Sequence, residues 1–117
     1  MPEAQCIRIP LHPEAADEFI AFVRDLAHRR SELITVLREE GMLSEAVLLE
    51  RSADGASLVL FTKAESLQRA HEVLAASTHP VQARMRELSA RAFDLSRATQ
   101  LEVLLDMTGR FDALAAQ

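Results

Sequence analysis

At 117 residues, 49% hydrophobic and 26% charged, the chain is long enough for one core of ordinary globular composition, and residues 1–117 read as a single domain. A net charge of −5, with 13 basic residues scattered among 18 acidic ones, argues against a nucleic-acid partner, because phosphate binding gathers Lys and Arg on one face. Cys6 is the only cysteine, so neither an internal disulfide nor a multi-cysteine metal centre is available, and a reducing, cytoplasmic setting is expected.

The chain opens without a basic-then-apolar leader, and no apolar run approaches the ~18 residues of a membrane span. Residues 5–11 alternate, Ile7, Ile9 and Leu11 against Cys6, Arg8 and Pro10, and predict a first strand. His12-Pro13-Glu14 opens a helix, which Gly41 closes. Between them Phe19, Val23, Leu26, Leu33 and Leu37 recur at helical spacing. A helix over 14–40 would run roughly 40 Å, longer than the sheet beneath it, so an overhang or a bend near His28–Ser31 is expected. A second strand follows over 43–51, Ser52-Ala53-Asp54-Gly55 supplies a hairpin turn, and a third strand runs over 57–63. Helix over 64–76 is interrupted at Thr78-His79-Pro80 and restarts to Phe93. A fourth strand covers 99–107, and the tail over 109–117 is weakly helical, an arm for a neighbour.

The order β-α-β-β-α-β folds as a ferredoxin-like, four-stranded antiparallel sheet, order 4-1-3-2, with helices on one face. Val47-Leu48-Leu49, Leu58-Val59-Leu60-Phe61 and Val103-Leu104-Leu105 are apolar on both faces of their strands. Ile7, Ile9, Ala46, Leu48, Leu58, Leu60, Leu101, Val103 and Leu105 are expected to face the helices. Cys6, Arg8, Glu45, Val47, Leu49, Val59, Phe61, Glu102, Leu104 and Asp106 are expected opposite. That second set is too apolar to leave in water, so a two-fold homodimer packing sheet on sheet follows.

With these elements in place the chain resembles the dimeric α/β-barrel superfamily, whose protomers pair their sheets into a barrel. Leu37-Arg38-Glu39-Glu40-Gly41-Met42-Leu43-Ser44-Glu45 leading into Val47-Leu48-Leu49-Glu50 is similar to a small bacterial family of unknown function. So is the later Leu101-Glu102-Val103-Leu104-Leu105-Asp106-Met107. His79-Pro80 resembles a His-Pro of stress-responsive barrel relatives. The superfamily includes antibiotic-biosynthesis-type monooxygenases, haem-degrading enzymes, polyketide cyclases and lactone isomerases, so the resemblance implies a fold rather than a chemistry. This chain has no Asn, Trp or Tyr. Haem-degrading relatives lean on Asn and Trp, and cofactor-free oxygenases tend to hold their substrates with Asn, Trp or Tyr, so both activities lose support here.

The candidate catalytic groups are His71, His79 and Glu102. His79, like His12, precedes a proline at a helix start, where capping is the plainer role, and His71 lies beside an apolar stripe, where packing is plainer. No histidine pair has metal-ligand spacing, so no metal is expected, and no cofactor either. Arg30 falls where the stripe of Phe19, Val23 and Leu26 would place an apolar residue, and could hold a ligand carboxylate, snorkel to solvent, or pair with Glu32 or Glu72. Arg8, Glu45 and Asp106, with Phe61 and Leu104 around them, form a candidate ligand-binding group on the sheet–sheet face. There Arg8 is expected to pair with Glu102 or Asp106, fixing dimer register or poising a carboxylate for acid–base work. The leading reading is a homodimeric barrel protein that binds a small apolar or weakly acidic molecule. The rivals are an enzyme (a cofactor-free monooxygenase, cyclase or isomerase) and an interaction module without a ligand.

Overall fold

The computed structural model describes residues 2–107, so the tail predicted over 109–117 lies outside the described residues. The elements are β1 (Glu3–Pro10), α1 (Pro13–Leu26), α2 (Arg30–Glu40), β2 (Met42–Ser52), β3 (Gly55–Ala64), α3 (Leu67–Ala76), α4 (Pro80–Ala92) and β4 (Thr99–Leu101). A short 3-10 turn, Leu95–Arg97, precedes β4. The strands form one antiparallel sheet ordered β2-β3-β1-β4, the predicted topology.

The long helical region divides where a bend is expected. Ala27–Arg29 separate α1 from α2 without a Gly or Pro, and Arg29 spans the break. Its guanidinium lies 3.5 Å from Asp25 in the last turn of α1 and 2.8 Å from Glu32 in the first turn of α2. The split lets α1 pack on α4 while α2 packs on α3 and β2, which one straight rod could not do. Gly41 ends α2 at φ 71°, a left-handed conformation open to glycine at little cost. The β2–β3 hairpin turns through Gly55 at φ 123°, and the Ser52 hydroxyl accepts a 3.2 Å hydrogen bond from the Asp54 amide.

The core lies between β1–β3 and the α1–α4 pair. Phe19, Ile20, Leu11, Leu58, Leu88 and Ala92 are buried together, and the Phe19 and Phe93 rings meet in a tilted pair with centroids 5.1 Å apart. Phe93 also anchors the chain after α4, through a bridge to Leu11 and the Asp94 amide's bond to the Pro10 carbonyl.

Two expectations about the sheet require correction. The first concerns which way β2 faces. Val47 pairs opposite Leu60, Leu49 opposite Leu58 and Glu45 opposite Thr62, and directly paired antiparallel residues share a face. Leu58 is buried under Phe19, so Glu45, Val47 and Leu49 point toward the helices. Ala46 and Leu48 lie on the open side with Val59, Phe61, Cys6 and Arg8. A register shift between Met42 and Ser44 sets this phase. Because β2 is apolar on both sides, its pattern fits either orientation, and a one-residue slip exchanges the faces.

The second correction concerns the last strand. Only Thr99–Leu101 pair with β1, and Leu101, opposite Cys6, lies on the open side rather than under the helices. From Glu102 to Met107 the chain leaves the ladder, and Asp106 reaches Lys63 on the open side at 2.8 Å.

Candidate functional site

Three cavities of about 340, 140 and 70 Å3 lie between the helices and the β2–β3 side of the sheet, and Glu45 and Met85 wall all three. The break at Ala27–Arg29 opens the largest, because α2 swings off the line of α1 and leaves Val23, Leu26, Leu33 and Leu37 around a common space. Its floor is Val47, and among the described residues the charged side chains on its walls are Arg30 and Glu45. No ion pair among the described residues involves Arg30, since Arg29 is the one that engages Glu32.

The smallest cavity lies deeper, where the end of α2 meets α4, and holds the polar residues Glu40, Glu45 and Gln82. Glu40 is buried, and its pKa is pushed up to about 7. Desolvation is the main cause, opposed in part by the nearby Gln82 amide and reinforced by the charges of Glu45 and Glu39. Burial raises the Glu45 carboxyl as well. Glu45 belongs to the sheet's outer strand and is exposed as a residue, yet its position on the walls of all three cavities accounts for a carboxyl that feels desolvation. Gln82 is only 2% exposed, and neither its Nε2 nor its Oε1 has a hydrogen-bond partner. Its amide thus influences Glu40 from beside it without hydrogen-bond geometry between them.

The residues singled out from sequence do not gather in one place. Arg30 and Glu45 wall the largest cavity. Arg8 and Phe61 are on the opposite side of the sheet, and the unpaired segment beyond β4 carries Glu102, Leu104 and Asp106. Arg8 pairs with Glu50 at 3.0 Å, not with Glu102 or Asp106, because the ladder between β1 and β4 ends at Cys6 and Leu101. Asp106 takes Lys63 instead. His71 is exposed on α3. His79 caps α4, its Nδ1 accepting a 3.1 Å hydrogen bond from the Val81 amide, with Nε2 3.9 Å from Glu32. Among the described residues no three His, Cys, Asp or Glu side chains gather as a metal site.

Glu40 and Gln82 escaped the sequence reading, although a signal existed. Leu33, Val36, Leu37 and Glu40 form one stripe of α2, so Glu40 occupies an apolar position just as Arg30 does. Gln82 sits beside Val81 and one turn before Met85 in the same manner.

Solved structures with the same architecture are similar to this chain at low identity. Rv0793 from Mycobacterium tuberculosis is 23% identical, with 92% of this chain and 100% of that chain covered and a TM-score of 0.53. A Bacteroides thetaiotaomicron protein provisionally named an antibiotic biosynthesis monooxygenase is 16% identical, with 92% of each chain covered and a TM-score of 0.59. SnoaB, a cofactor-independent oxygenase from Streptomyces nogalater, is 18% identical, with 91% and 96% covered and a TM-score of 0.52. At such identities the likeness is one of fold. No curated protein of described function matches. Residues 2–110 match the model of a family of unknown function, DUF6176, and the chain belongs to that family.

Proposed function

We propose that this protein is a homodimer that binds a small, largely apolar molecule in the cavity between its helices and β2–β3. The carrying observation is the cavity of about 340 Å3 and its smaller neighbours, all walled mainly by Leu, Val and Met side chains. That volume falls within the roughly 300–1,000 Å3 of small-molecule sites, which pair apolar walls with a few polar groups. Two carboxyls that resist ionisation make an anionic ligand the poorer fit, so the apolar reading is preferred to the weakly acidic one. The open side of the sheet supports the dimer. Leu48 is 52% exposed there, and Leu104, 85% exposed, follows on the segment after β4. Ala46, Val59 and Phe61 share the side of Leu48, and monomers rarely leave large apolar patches in water.

The test uses the neutral dye N-phenyl-1-naphthylamine and sedimentation on the same samples. Saturable binding that Val47→Trp abolishes by filling the cavity, in a particle of two chains, is the expected outcome. A stable monomer at micromolar concentration removes the dimer, and dye binding indifferent to Val47→Trp removes the cavity.

A second reading, cofactor-independent oxygenation of the kind SnoaB's description names, is favoured by one observation. Glu40, poised near neutrality beside the cavity, is suited to accept a proton from a bound hydroxyl. Oxygen uptake with a dihydroxynaphthalene, lost in Glu40→Gln, is its signature.

A further inference from the structure

We infer that the inner corner of the cavity, where Glu40, Glu45 and Gln82 meet, is a cation subsite that takes the ammonium group of an otherwise apolar amine. The inference rests on the cavity being the binding site and adds what its occupant carries.

Acidic groups inside a protein are ordinarily matched by a cation. Asp106, the most covered carboxylate of the open side, engages Lys63, and the more exposed Glu18, Glu87 and Glu32 engage Arg84, Arg91 and Arg29. No ion pair among the described residues involves Glu40 or Glu45, and no Lys, Arg or His walls their corner. The charges acting on Glu40 are those of Glu45 from β2 and Glu39 from α2, both negative. From α3 and α4 the walls are Leu74, Val81, Gln82 and Met85, none of which titrates. Arg30 is ten residues from Glu40 along α2, roughly 15 Å at the helical rise, and walls the larger cavity rather than this corner. Among the described residues nothing at this corner supplies a counter-charge, so an ionised Glu40 or Glu45 has one to gain from a ligand.

Gln82 is the independent sign of a ligand. A buried amide with no partner is costly, and Leu or Met would fill the same volume without that cost. Its oxygen is an acceptor that no hydrogen bond uses among the described residues. An ammonium group carries three donors and no acceptor, which matches this set, whereas a hydroxyl has one donor and a carboxylate none. The Gln82 amide is covered, so an entering ammonium first meets the carboxylates, and rotation of the glutamine side chain brings in its oxygen. The corner, about 70 Å3, suits a headgroup, and it shares Leu33, Leu37 and Met85 with the larger cavity, where an alkyl body would lie.

Calorimetric titration of the full chain with hexylamine, hexanol and hexanoate tests this, because the three share an apolar body and differ in the head. At pH 8 hexylamine is expected to bind at least tenfold more tightly than hexanol, with hexanoate weakest. Hexylamine affinity is expected to fall about tenfold per pH unit below 7, as Glu40 takes up the proton that a bound ammonium displaces. Glu40→Gln should reduce hexylamine to the affinity that hexanol has for the same variant, with the circular dichroism of the parent chain reporting an intact fold. Gln82→Met should weaken hexylamine, spare hexanol and raise the melting temperature. Hexanol binding as tightly as hexylamine, or an amine preference that survives Glu40→Gln, overturns the subsite and leaves the cavity reading standing. Failure of all three to bind overturns both.

Discussion

The helix-facing and open sides of the sheet are built from similar side chains and are completed differently. Under the helices, Ile9 and Leu58 are 4% and 3% exposed, closed in by Phe19, Leu88 and Ala92. On the other side Val59 and Phe61 are half-buried and Leu48 is open. The closed side also divides within itself. It is tightest around Phe19 and Leu58, where α1 meets α4, and more hollow toward β2, where α2 leaves the line of α1. Apolar character alone therefore does not make a core; a second layer must arrive at packing distance, and here it arrives over half of one side.

The largest expected effect separates the two sides directly. Phe19→Ala removes a buried ring and its partnership with Phe93, and should cost about 3–5 kcal/mol in urea unfolding. Leu48→Ala should change stability by no more than about 0.5 kcal/mol in dilute samples where any dimer has dissociated. Its cost should grow with protein concentration if the open side is an interface. Equal losses at every concentration would mean that the two sides are finished alike.

A smaller effect sharpens the contrast between the tight and hollow parts of the closed side. Glu40 has a folded-state pKa of about 7, above its ordinary value of 4.5, so the folded chain holds a proton that the unfolded chain releases. The stability tied to that proton is complete below pH 4.5 and is lost as pH rises through 7, a change of about 3 kcal/mol from this group. Glu45 shifts in the same direction and adds to the slope. Chemical denaturation from pH 5 to pH 8 should show declining stability, and Glu40→Gln should flatten most of the decline. A slope unchanged by that variant would mean the hollow part does not desolvate its carboxyl.

The smallest effect concerns the ion pair on the open side. Arg8 and Glu50 are 37% and 50% exposed, so a double-mutant cycle in dilute samples should give a coupling below about 1 kcal/mol. A larger coupling that appears only at high concentration would place the pair inside an interface.

Much of the architecture was legible because its signals are local. Gly41 and the Asp54-Gly55 turn punctuate the chain, Pro13 and Pro80 open helices, and helical periodicity runs through Phe19, Val23 and Leu26. The site was less legible. Arg30 and Glu45 were singled out and both wall the cavity, yet Glu45 was expected on the other side of the sheet. Glu40 went unnoticed because an acid at the end of a helix followed by glycine looks like ordinary surface. It is buried only where α2 meets α3 and α4, and the same meeting covers the Gln82 amide beside it.

Element order was decided by the sequence itself, since turn chemistry and residue spacing act over a few positions, and the strand order followed from it. Which way β2 faces, where the final strand ends and which acids meet in the dark were decided by tertiary structure. A strand apolar on both sides carries no internal instruction about its own orientation. Neighbouring strands and the layer above it supply that instruction, and with it the position of every polar group in the cavity.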